Sequence, residues 1–178
     1  MKISVIIPTF NREKHLKNCL SSLLIQTKKP HEILIIDNSD NYYAKKVVNI
    51  FEEQFKLQNI SLYYFKNSIN SGAIARNLGV SKAKGDLIAF LDDDVLLDLN
   101  YYEEIEKVFL KYPTALGVHG YNKLVDNSYQ KMKNSFIQSL IYKFEKFFMT
   151  SSFYEDNQSR VLPSLCVTNP TPSCFISI

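Results

Sequence analysis

The chain is predicted to be an α/β protein with a mostly parallel sheet flanked by helices. Three observations lead there. Short β-branched apolar runs alternate with stretches whose apolar residues recur at helical spacing, and this βαβαβαβ order calls for a parallel sheet covered on both faces. The run Leu87–Leu91, bounded by Gly85 and a polar cluster, is apolar throughout, as a strand buried on both faces should be. Finally, 178 residues with 46% hydrophobic content suffice for a compact domain with a real core.

The elements follow in order. Ile3–Ile7 is a β-branched strand stopped by Pro8. From Arg12 to Gln26 the residues Leu16, Cys19, Leu20, Leu23 and Leu24 fall on one helical face. Glu32–Ile36 is a second strand, ending at Asp37-Asn38-Ser39-Asp40, and a helical span from about Tyr43 to Phe55 leads to a third strand, Ile60–Phe65. The loop Asn67–Gly72 opens a helix carrying Ala75, Leu78 and Val80. Leu87–Leu91 is the fourth strand, Leu99–Leu110 a helix, and Ala115–Val118 a fifth strand. Residues 1–121 thus form one α/β domain.

Residues 122–178 break the rhythm. Phe136, Ile137, Leu140, Ile141, Phe144, Phe147 and Phe148 share one helical face, which predicts a helix docked on the domain. The alternative is an interfacial helix, because a basic, Phe-rich amphipathic segment over 133–149 can lie among lipid headgroups. The tail 161–178 is rich in Ser, Thr and Pro and stops in the apolar Phe175-Ile176-Ser177-Ile178. A strand closing a chain with no cap after it raises the expectation that the protein continues.

Composition narrows the function classes. The net charge is only +3 and the basic residues are scattered, so no nucleic-acid partner is expected. Cys19, Cys166 and Cys174 form neither a CxxC pair nor a zinc-spaced cluster. Sparse, odd cysteines suggest reduced thiols in the cytoplasm, with Cys19 a small buried hydrophobe. Met1-Lys2 runs straight into a strand, unlike a signal peptide, and no apolar run is long enough to span a bilayer. The expected location is cytoplasmic, or peripheral at the inner face of the membrane through 133–149.

Chemistry gathers after the strands. Asp92-Asp93-Asp94 closes the fourth strand, and ligand sites of open α/β sheets lie at such carboxyl ends. Three adjacent carboxylates repel one another unless a hard cation, Mg²⁺ or Mn²⁺, shares them with substrate phosphates. A solvated loop or a helix N-cap is the plainer alternative. The other strand-end loops face the same edge. Phe10 offers a face for a base, Asp37 an acceptor for a base or ribose donor, and Arg76 sits near a helix start, where phosphate is favoured. Singly, Pro8 and Asn11 could merely end a strand and cap a helix, Gly72 permit a turn, and Arg76 pair with a surface carboxylate. One ligand explains all four loops together.

The segments Ser4–Arg12, Ile36–Ser39, Asn70–Gly72 with Ala75–Gly79, Gly85-Asp86 and Phe90–Asp94 together resemble the family 2 glycosyltransferases. The likeness covers about Lys2 to Val118 and does not single out a sugar. It implies a GT-A type fold, a Rossmann-like α/β sandwich, and a nucleotide-diphosphate sugar donor. By that likeness Pro8, Thr9, Phe10, Asp37 and Asn38 hold base and ribose, and Gly72 and Arg76 lie near the nucleotide. Asp92–Asp94 is then the DxD-type motif, with Asp93 beside the nucleotide, Asp94 the foremost metal contact, and Asp92 a second one near ribose and phosphates. The implied reaction is inverting transfer to a hydroxyl of a glycan, lipid-linked or other acceptor, with Mn²⁺ or Mg²⁺ neutralising the leaving diphosphate.

Such enzymes activate the acceptor hydroxyl with a carboxylate general base. The acceptor-loop candidate is Thr168–Phe175, yet no Asp or Glu follows Arg160, and Asp126, Glu155 and Asp156 do not match the motif. The base is therefore expected beyond Ile178, with 122–178 an incomplete acceptor-side portion of the same domain. The alternative is a truncated, catalytically impaired nucleotide-sugar-binding module. A phosphate-receiver domain would need an acidic pair where Pro8-Thr9 stands, and no GxGxxG, Walker lysine loop or nucleophile elbow is present.

Overall fold

The structure is a computed structural model that describes residues 1–120 and 174–177. Ten elements follow one another: β1 (Ile3–Thr9), α1 (Glu13–Leu24), β2 (Glu32–Asp37), α2 (Tyr43–Leu57), β3 (Ser61–Lys66), α3 (Gly72–Lys82), β4 (Leu87–Phe90), α4 (Tyr101–Lys111), β5 (Gly117–His119) and β6 (Cys174–Ser177). All pairings are parallel, in the order β3-β2-β1-β4-β6-β5. The described residues through His119, together with β6, belong to one compact unit.

Both faces of the central strands are covered. Every residue of β2 is buried, and in β1 only Pro8 is half-buried. On one face Ile6, Leu34, Ile36 and Ile88 pack with Ala75 of α3. The alternate residues Val5, Ile7, Ile33 and Ile35 are equally inaccessible, so the opposite face is covered too. Helix α3 lies very close to β1: a Cβ on Gly79 would sit 2.3 Å from Ile6 Cγ2, so only glycine fits that crossing.

The order in which strands are added reverses at β1. Strands β2 and β3 extend to one side and β4 to the other, so the switch point, where open α/β sheets place their ligands, lies at the carboxyl ends of β1 and β4. The strands and helices predicted through Val118 are present, but some boundaries move. Pro8 does not stop β1, which continues to Thr9. Asn38 N–H donates to Thr9 O on the β2 side and Leu91 N–H to Ile6 O on the β4 side. Peptide groups alternate, so the Pro8 nitrogen faces the β4 side, where β4 has already ended at Phe90 and no ladder bond is lost. Helix α4 begins at Tyr101 rather than Leu99, because the Leu99 carbonyl is engaged by Thr27 N–H. Helix α1 excludes Arg12 and Gln26; the Gln26 amide instead donates to Asp98 O.

Strand β6 lies between β4 and β5, with Leu87 opposite Cys174 and Phe90 opposite Ser177. Among the described residues no helix is long and apolar enough to cross a membrane. The boundary at 121/122, the helix expected over 136–148, the membrane contact at 133–149, Asp126, Glu155, Asp156 and most of the 168–175 loop lie outside the described residues.

Candidate functional site

The site is built outward from Thr9. Its hydroxyl, at the end of β1, donates to Asp93 Oδ2 at 2.7 Å, joining β1 to the segment that leaves β4. In that segment Leu91 and Asp93 turn inward and are buried, whereas the Asp92 and Asp94 side chains are 51% and 47% exposed. Three consecutive carboxylates thus divide into one that anchors and two that are exposed. Each has a cationic partner. Arg12 reaches Asp94 Oδ2 at 2.8 Å and Asp93 Oδ1 at 3.4 Å, and Arg76 reaches Asp92 Oδ1 at 2.6 Å. Asp93, then Asp94, raises the Arg12 pKa above its ordinary value.

Arg12 is delivered by a tight bend. Asn11 takes a left-handed backbone (φ 54°), which asparagine tolerates better than most residues, and its N–H donates to Ser39 Oγ at 2.9 Å. Arg76 stands one turn into α3, whose start is capped by Ser71 accepting from Ile74 N–H. A Cβ at Gly72 would lie 3.2 Å from Arg76 Nη1, so glycine there leaves room for the guanidinium over the helix start. Beneath the cluster, Cys19 Sγ contacts Asp92 O at 3.8 Å. Burial, then the neighbouring carboxylates led by Asp93, pushes its thiol pKa far up, so it is the inert small hydrophobe expected.

Among the described residues no three His, Cys, Asp or Glu side chains gather as a metal site. Asp92 and Asp94 are the exposed carboxylates of the run, of the type a hard cation takes one or two of beside substrate phosphates and water, and such a cation would have to replace Arg76 and Arg12 on them. Asp93 is committed to Thr9 and Arg12.

A second group of contacts surrounds Asp37, which has no accessible surface. Oδ1 accepts from the Ser39 N–H and hydroxyl, and Oδ2 from Tyr64 OH at 2.7 Å and Lys66 Nζ at 3.3 Å. A carboxylate has about four acceptor positions, so all are taken. A base N–H can enter only by replacing a donor, and Lys66 holds the longest of these contacts. The Tyr64 hydroxyl is pushed above its ordinary pKa by burial and then by its bond to Asp37. Asn38 N–H donates to Thr9 O, and its Oδ1 accepts from Asn67 Nδ2 at 2.7 Å, which knits the ends of β1, β2 and β3 together.

Thr9, Asp92, Asp93, Asp94 and Arg76 therefore meet at one edge, with Asp37 and Asn38 adjoining through Thr9. Phe10 is 41% exposed in the same loop, and Pro8 is half-buried. Sequence reasoning did not single out Arg12, Ser39, Tyr64, Lys66 or Asn67 as site residues. Tyr64 and Lys66 share a face of β3 by their i, i+2 spacing, but only the Asp37–Lys66 register shows that this face meets Asp37.

The model of "Glycosyl transferase family 2" matches residues 4–163. An uncharacterized glycosyltransferase of Rickettsia felis is 34% identical over 173 residues, spanning 95% of this chain and 24% of that protein. The poly(ribitol-phosphate) beta-glucosyltransferase of Bacillus spizizenii is 32% identical over 98 residues, 53% of this chain and 15% of that one. The chain thus spans a quarter or less of these relatives. Among solved structures, Staphylococcus aureus TarS 1–349 superimposes with a TM-score of 0.59 at 23% identity, over 68% of this chain and 36% of that one. The same protein in complex with UDP-GlcNAc gives a TM-score of 0.58, over 68% and 35%. These last two are likenesses of fold, and they bear out the GT-A type expectation. With a family match running through Asp37 and Asp92–Asp94, this chain belongs to glycosyl transferase family 2.

Proposed function

We propose that the chain forms the donor side of a glycosyltransferase that moves a sugar from a uridine-diphosphate sugar to an acceptor hydroxyl, in a metal-dependent, inverting reaction. The observation that carries this reading is the cluster at the switch point: Thr9 holding Asp93, with Asp92 and Asp94 exposed beside Arg76 and Arg12. Arg76, half-exposed at a helix start, is suited to a diphosphate. The Asp37 carboxylate accepts a base N–H, which suits uracil, and Phe10 provides a stacking face. Asp94 and Asp92 are the residues that would hold Mn²⁺ or Mg²⁺, whose chemistry there is Lewis-acid neutralisation of the leaving diphosphate.

The acceptor is a glycan, lipid-linked or other hydroxyl, activated by a carboxylate general base. A second reading, in which the 178-residue chain binds the donor without turnover, is supported by the lack of any Asp or Glu after Arg160. A cytoplasmic site of action, with 133–149 against the inner membrane face, completes the proposal. Calorimetry of the chain with UDP, with and without Mn²⁺, tests its core. Binding is expected only with the metal, and equal affinity in EDTA would refute the assigned role of Asp92 and Asp94.

A further inference from the structure

Lys66 stands out among charged side chains because its contacts converge on a single loop. It lies at the end of β3 in register with Asp37, and its ammonium touches Asp37 Oδ2, the Ser39 carbonyl and, at 2.7 Å, the Asn41 carbonyl. It also sits over the Tyr42 ring, 5.2 Å from the centroid. The loop it grips reaches further. Ser39 Oγ accepts from Asn11 N–H, and Asn41 Nδ2 donates to Asn11 Oδ1 at 2.6 Å, so the bend that presents Phe10 and Arg12 leans on the same two residues. One lysine therefore holds the Asp37 carboxylate, the loop after β2 and, through that loop, the bend after β1.

We propose that Lys66 is the positioning residue of the base pocket: by pinning residues 39–42 it fixes the direction of Asp37 and so sets which base the site accepts. The inference rests on the uridine-diphosphate reading above. Its chemistry is that of donor exchange. Asp37 carries four donors, and the 3.3 Å contact from Lys66 is the longest, whereas Lys66 has two carbonyls to retain when it lets go. A base with a ring N–H, such as uracil, can take over that position on a carboxylate that stays in place. Cytosine presents a lone pair at the corresponding ring nitrogen and cannot. Discrimination then depends on Asp37 not following the ligand, and holding it still is what Lys66 does through the backbone. Lys66 touches no phosphate-side residue directly and reaches Arg12 only through Ser39, Asn41 and the Asn11 bend, so its larger effect belongs to the base.

The test is calorimetry of the whole chain with UDP, CDP and inorganic pyrophosphate at fixed Mn²⁺, for wild type, Lys66→Met and Lys66→Arg, with melting temperatures recorded for each. Lys66→Met is expected to lose about tenfold in UDP affinity, the scale of one charge-assisted hydrogen bond from its ammonium to the loop carbonyls it retains, and to bring UDP and CDP close together. Pyrophosphate affinity should stay within about twofold. Lys66→Arg, which keeps the charge and several donors, should retain most of the preference for UDP. Equal losses for UDP and pyrophosphate, or an unchanged UDP-to-CDP ratio, would overturn the proposal. Should Lys66→Met fail to fold, loss of the ratio in folded Lys66→Arg would likewise overturn it, because the conservative variant should rescue. Absence of UDP binding by wild type would bring down the functional reading itself, a result the variants cannot mimic.

Discussion

Replacing Thr9 by valine isolates the contact on which the carboxylate cluster depends. The substitution keeps shape and β-branching and removes one hydroxyl, whose bond to Asp93 Oδ2 is 2.7 Å long and buried. Hydrogen bonds to charged groups contribute about 1.5–3 kcal/mol, and a carboxylate left in a dry site keeps its desolvation cost. The remaining partner, Arg12 at 3.4 Å, is itself half-exposed and compensates little. The added methyl is worth under about 1 kcal/mol, so the net loss expected is about 0.5–2.5 kcal/mol. Urea unfolding at neutral pH measures it as a shift in midpoint with unchanged slope. Repeating the substitution in an Asp93→Asn background should cost only about 0–1 kcal/mol, because the acceptor is then neutral. Equal costs in both backgrounds, or a loss below about 0.5 kcal/mol in the first, would refute the claim that Thr9 anchors a charged Asp93.

Two further outcomes follow from the fold. Gly79→Ala improves helix propensity by about 1 kcal/mol but drives a methyl to 2.3 Å from Ile6 Cγ2 in the buried core. Overpacking costs about 1–3 kcal/mol and should win, lowering the melting temperature; a rise would mean that α3 does not lie this close to β1. Glu106 has its pKa held below the ordinary 4.5, first by its hydrogen bond from Lys28 and also by the chain's amino terminus. A depressed carboxylate pKa contributes stability above the ordinary value, lost as pH falls through the depressed one. Glu106→Gln should therefore cost up to about 1 kcal/mol at pH 7 and progressively less in acid; a difference independent of pH would contradict the pairing.

Much of this architecture was legible because burial on both faces leaves continuous apolar strands, and helices show their own period. Strands β1 to β4 and the four helices of the described residues were read within a few residues. Errors arose where a long-range hydrogen bond decides the boundary, as at Pro8, whose missing N–H faces an already vacated flank, and at Leu99, whose carbonyl is engaged by Thr27. The insertion of β6 between β4 and β5 depends on strand order, which local patterns do not encode. The site divides in the same way. Asp92–Asp94 announces itself by charge density at a strand end. That Asp93 turns inward while its neighbours face out needs Thr9 and Arg12 in place, residues some eighty positions away. Likewise, Tyr64 and Lys66 become relevant only through the register of β3 on β2.

The central claim, that a metal-bound nucleoside diphosphate sits at the carboxyl edge of β1 and β4, is tested most directly by paramagnetic broadening of backbone amide signals. Mn²⁺ is titrated into the chain with and without UDP. The account predicts, only when UDP is present, broadening that is strongest at Thr9–Arg12, Gly72–Arg76 and Asp92–Asp94. It should fall off toward the opposite edge at Lys2–Ser4 and Lys84–Asp86, about 20 Å away along strands of this length. Broadening centred elsewhere, or the same pattern without UDP, would contradict it.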